Sequence, residues 1–170
     1  MFDKTSSKIR GEWRDIEYFS DGKIITGEWE PNIIVHNINI LIAGLFHNQF
    51  GLRGLTHWAI GEGNPEWDEV QRVELNPFAT KLVSEIGRKP LRRLVFINDI
   101  NATSDGLTNR LLVSTIIETD ECIGTWREFA IFGGNANMTP DSGIMINHKA
   151  HARYIKTTDV TVERQIRFIL

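Results

Sequence analysis

The sequence predicts a mainly β chain: an antiparallel β-sandwich with one packed α-helix and an N-terminal β-hairpin. Three observations carry that expectation. Short runs rich in Val, Ile, Thr and aromatic residues recur between clusters of turn residues. Only one segment keeps apolar residues at helical spacing for more than two turns. The last segment, from Val160, alternates apolar and polar side chains as a half-buried strand does.

The hairpin comes first. GEWRDIEYF and KIITGEWE flank Ser20, Asp21 and Gly22, and Asp-Gly is a strong two-residue hairpin signal. GEW occurs at Gly11 and again at Gly27, too short to be a repeat and consistent with the outer ends of paired strands. Pro31 closes the section. The expected division is residues 1–32 as a hairpin or docking arm and 33–170 as the sandwich with its helix. An isolated hairpin is marginal and must dock on something.

The helix follows. Val35, Ile38, Leu41, Ile42, Leu45, Phe46 and Phe50 recur at three- and four-residue spacing, with Asn37 near the start and Gly51 after the end. So broad an apolar stripe predicts packing on a sheet. A strand is expected from His57 to Ile60, running into the loop GEGNPEW. LRRLVFIND and NRLLVSTIIET are expected to be extended, with Leu111, Val113, Thr115 and Ile117 on one face. TWREFAIFGG carries large apolar groups on both faces, which predicts a strand buried on two sides. GIMINHKAHARYI comes next. In the final strand Val160, Val162, Ile166, Phe168 and Leu170 share a face that Arg164 interrupts.

Composition excludes several function classes. A net charge of -3 leaves no electrostatic footprint for nucleic acid or an anionic membrane. The longest apolar run, Ile38 to Phe46, is too short to span a bilayer and contains Asn39. MFDKTSSKIR has no apolar signal core, so synthesis in the cytoplasm is expected. Cys122 is alone, which excludes an internal disulfide and a cysteine zinc site.

No cofactor or metal is expected. AIGEGN lacks the third glycine of a dinucleotide loop and the Lys-Ser/Thr of a P-loop. His148 and His151, three apart on a strand, point to opposite faces and do not suit one metal. No GxSxG elbow occurs, and neither a serine nor Cys122 forms a recognisable nucleophile motif with a histidine. Glu85, Glu118, Asp120 and Glu128 keep a glycan hydrolase open as an alternative, since paired carboxylates are its requirement. Glu128 is the informative one. A carboxylate in a strand buried on both sides needs a partner, for chemistry or for architecture.

Four segments together resemble a family of virion proteins from the tail, baseplate and fibre regions of tailed bacteriophages. They are NINILIAGLF, HWAIGEGNPEW, LVSEIGRKPL with its Leu82, Glu85 and Arg88, and WREFAIFGG with its Glu128, Ile131, Phe132 and Gly133. Lys156 and VTVERQIRFIL resemble the family's end. The likeness spans roughly residues 33–170, and Ala130 stands where that family usually has glycine. The resemblance implies a non-enzymatic structural protein of the virion, synthesised in the host cytoplasm. Its partners would be other virion proteins, with a homo-oligomer in a symmetric ring or fibre base.

On that reading Glu128, Glu85, Arg88 and Arg127 form structural ion pairs, with Glu128 and Arg88 expected to pair across the sheet and fix its register. Trp13, Trp29 and Trp67, in polar surroundings, and Asn135 and Asn137, in a glycine-rich loop, are the interface candidates. A receptor- or glycan-binding module, with Trp67 and the Asn135–Asn137 loop at an exposed tip, is the other non-enzymatic alternative.

Overall fold

Every strand pairs antiparallel in the computed structural model, which describes residues 9–170. The part of the expected docking arm at residues 1–8 lies outside the described residues. In chain order the elements are β1 (Arg10–Phe19), β2 (Ile24–Thr26), β3 (Glu30–Ile34), α1 (Asn37–Phe46), β4 (Arg53–Gly61) and a 3-10 turn (Pro65–Glu69). Then come β5 (Glu85–Pro90), β6 (Arg93–Phe96), β7 (Arg110–Ile117), β8 (Gly124–Gly134), β9 (Ile144–Met145), β10 (Asn147–Lys156) and β11 (Val160–Ile169).

The protein is mainly β, built on one curled sheet in the order β5-β4-β8-β10-β3-β1-β11-β7-β6. β2 joins β1, and β9 joins β8. The two ends of that order, β5 and β6, are consecutive in the chain and separated only by Leu91 and Arg92. The edges therefore come back toward one another. Lys89 Nζ donates to the Ile116 carbonyl at 2.7 Å, and Thr115 Oγ1 to that of Pro90 at 3.3 Å, across this corner.

One core fills the curl. Trp58, Ile60, Trp126, Phe129 and Ile131 from one half meet Trp13, Val113, Val162, Ile166 and Phe168 from the other. A second, smaller core lies on the outer face of β8, where Val35, Leu82, Ala136 and Met145 cover Ala130 and Phe132. Trp126 to Gly134 is consequently buried on both faces, as its sequence predicts.

The hairpin turn is one residue longer than Asp-Gly alone predicts. Ser20, Asp21 and Gly22 lie between the paired Phe19 and Lys23, and Gly22 takes a positive φ of 87°. A type I turn followed by a left-handed residue closes such a three-residue loop. The expected boundary at residue 32 falls inside β3. β1 pairs with β11 along its whole length, Arg10↔Ile169 to Phe19↔Val160, with β3 and β2 on its other side. It is an interior strand, so the described part of the hairpin is built into the sheet and does not project as a free arm.

The helix packs less completely than its stripe suggests. Val35, Ile38 and Leu41 are buried, but Phe46 is 84% and Phe50 99% exposed. The helix ends at Phe46, and positive φ angles at Asn48 and Gly51 turn the chain so that Phe50 leaves the sheet.

Candidate functional site

Glu128 sits at the centre of β8 with no solvent exposure. Its Oε1 accepts the Ser84 amide at 2.8 Å. Its Oε2 accepts the Val83 amide at 3.1 Å and His148 Nε2 at 2.7 Å. Gly61 makes room for it, since a Cβ there would lie 2.5 Å from Glu128 Cγ. The carboxylate thus clamps the chain entering β5 against β8 and β10. His148 Nδ1 is buried and has no hydrogen-bond partner.

Arg88 does not reach Glu128. It forms a buried bidentate pair with Glu85, at 2.7 and 2.8 Å. It also donates to the Ser142 carbonyl at 2.7 Å and stacks 4.1 Å over Phe132. Arg127 turns the other way, to Asp68 at 2.9 and 2.8 Å, and that pairing holds the Asp68 carboxyl below its ordinary range. The expected Glu128–Arg88 pair is therefore replaced by three separate arrangements. The reason is a register shift at Gly61, where Ile60 faces Gly87 but Gly61 faces Glu85. The bulge puts Glu85 and Arg88 on one face, so the nearer carboxylate takes the guanidinium.

A cross-strand lock does exist, elsewhere. Arg164 and Asp15 are direct partners in the β1–β11 ladder and form a bidentate pair at 2.7 and 2.6 Å. Arg164 has no solvent exposure, and its guanidinium lies 4.6 Å from the Phe129 ring centre, 5.0 Å from that of Trp13 and 5.2 Å from that of Trp126. His151 completes the cluster with Nε2 3.4 Å from Arg164 and Nδ1 donating to the Ala152 carbonyl at 2.8 Å. Burial, reinforced by the Arg164 charge, pulls the His151 pKa down to about 3. Beside it, Tyr154 donates to Glu17 Oε1 at 2.6 Å, and burial raises its phenol pKa. The signal in the sequence is Arg164 on the apolar face of an alternating strand; its partner Asp15 is set by the β1–β11 register.

The interface candidates separate. Trp13 is a core residue whose ring lies 5.0 Å from that of Phe129 at a tilt of 57°, which corrects its reading as a surface anchor. Trp29 is half-buried between the guanidiniums of Arg14 and Arg167, at 4.5 and 4.3 Å. Trp67 is half-buried and covers Gly63. Asn135 and Asn137 are exposed, and the Asn137 side chain accepts the Thr139 amide at 2.7 Å.

Two surface hollows stand out. An apolar groove of about 450 Å³ runs between α1 (Ile38, Ile42, Leu45) and the far edge (Leu94, Phe96, Leu170). The second is a polar cleft of about 830 Å³ between Trp67–Val73 and Lys149–Arg153. Neither Glu85 nor Glu128 lines either one. Among the described residues no three His, Cys, Asp or Glu side chains are grouped to hold a metal ion, and no helix is long and apolar enough to cross a membrane. His148 meets the Glu128 face of β8 and His151 the Phe129 face, so the two do not converge.

No protein-family model matches the chain, and no curated protein matches it in sequence.

Proposed function

We propose that this chain is a non-enzymatic structural protein of a tailed-phage particle, a tail, baseplate or fibre-attachment component that works by contact with other subunits. The observation that carries the contact reading is the unpartnered apolar face at α1. Phe46 and Phe50 stand out beside a groove lined almost wholly by aliphatic side chains, and exposed patches of that kind mark interaction sites. Its occupant on this reading is a second copy of the chain. Aromatic knobs and an apolar hollow lie on the same end of one molecule, which suits a self-complementary or ring-forming contact.

The virion setting rests on the order of the four motifs in the sequence. The non-enzymatic reading is supported by the occupation of the central carboxylates. Glu128 accepts three hydrogen bonds, and Glu85 is held by Arg88 and the Asp141 amide. We also read the two halves of the curled sheet, facing each other across the core, as the layers of a sandwich with the N-terminal hairpin in one layer.

Mass spectrometry of purified particles tests the setting. The chain should be present in several copies per particle. A chain abundant in the infected lysate but absent from particles would overturn the proposal.

A further inference from the structure

We propose that the open edge of β10 takes up an extended segment of another polypeptide as an added strand. Only Asn147 and His148 of β10 pair with β3. Beyond His148 the strand pairs with β8 on one side, at Lys149–Ala150 and Tyr154–Lys156 with a bulge over the residues between, and among the described residues no backbone partner stands on the other.

The split has a sequence cause. The Pro31 carbonyl faces β10, where it accepts Lys149 Nζ at 3.0 Å. A residue's N–H and C=O leave a strand on the same side, so the N–H that proline lacks is missing where β10 would need it. The ladder stops there, and a lysine side chain takes the place of the next backbone donor.

The cleft of about 830 Å³ opens at this point, with Trp67 to Val73 and Leu75 as its opposite wall. A cleft of that volume suits a single extended segment. Ala150 and Ala152 give it clearance on the β10 side. The lining charges balance: Lys149 lies 3.7 Å from Glu30 and Arg153 3.5 Å from Asp68, while Arg72 and Glu69 offset one another. The fitting occupant is a near-neutral segment with aliphatic side chains for Ile33, Val70 and Val73. The Ala152 carbonyl is already taken by His151, so the added strand bonds to the groups flanking it. Main-chain bonds supply the affinity in such additions, and alternate side chains the selectivity. This site is separate from the apolar face of α1 and does not depend on the virion setting.

The test uses the full chain and a displayed library of random peptides of roughly twelve residues, long enough to span the edge. Enriched peptides, made synthetically, should bind the wild type and lose at least about tenfold in affinity when alternate backbone nitrogens are methylated. Ala152→Pro should weaken them similarly, and Phe46→Ser should not. Val73→Arg, in the opposite wall, gives the same reading if Ala152→Pro fails to melt cooperatively. Absence of enrichment, or binding indifferent to backbone methylation, would overturn the proposal. So would a cell-wall oligosaccharide that binds the cleft and is lost on Trp67→Ala.

Discussion

His148 donates its Nε2–H to Glu128 Oε2 at 2.7 Å in a site closed to solvent, and the same carboxylate holds the amides of Val83 and Ser84. One side chain thereby ties β8, β10 and the entry to β5 together. All three of these hydrogen bonds come from the protein's own groups.

Glu128→Ala should therefore cost about 3–5 kcal/mol of stability, because it strands two amides and a histidine donor in a buried site. Glu128→Gln keeps one acceptor oxygen and should cost less. Urea denaturation gives the magnitudes, and hydrogen exchange should show faster exchange at Val83 and Ser84. Unchanged exchange there would remove the clamp.

Arg164→Met should disturb the interior more than any surface substitution. It leaves Asp15 without its bidentate partner and removes the cation from among Trp13, Trp126 and Phe129. Breaking one side of a buried pair costs about 3–5 kcal/mol. Pairing it with Asp15→Leu should recover part of that loss. The near-ultraviolet circular dichroism of the tryptophans reports the repacking.

Much of the framework is legible in local patterns. Alternation placed β11 and β7, and two-sided apolarity identified β8 as buried on both faces. The partner of Glu128 was not legible, since it arrives from strands and loops far away in the chain. The partner of Arg88 differs from the expected one for a definite reason. Three-residue spacing puts Glu85 and Arg88 on opposite faces of a regular strand, and only the bulge opposite Gly61 reverses this. Phe46 and Phe50 fitted the helical period, but period alone does not say where a helix stops.

Acid should weaken the fold through His151. Its pKa in the fold, about 3, lies below the ordinary 6.5, so the unfolded chain binds the proton more readily. The contribution of neutral His151 is complete above pH 6.5 and is lost as pH falls toward 3. The slope has a ceiling of about 1.4 kcal/mol per pH unit. Denaturation midpoints between pH 7 and 4 should fall for the wild type and fall less steeply for His151→Gln.

Removing residues 1–30 should abolish folding. The cut takes β1 from the interior of the sheet, Trp13 from the core and Asp15 from Arg164. The truncated chain should lack a cooperative thermal transition. A cooperative transition in that chain would mean that the hairpin is an appendage.

The contact reading is tested most directly by the light-scattering mass of the purified chain beside that of the Phe46→Ser/Phe50→Ser double variant. The wild type should run as a multiple of 19.4 kDa, and the variant, still folded, as a single chain of that mass. A wild-type chain that stays monomeric at high concentration, or a variant that assembles as the wild type does, would contradict self-association through the α1 face.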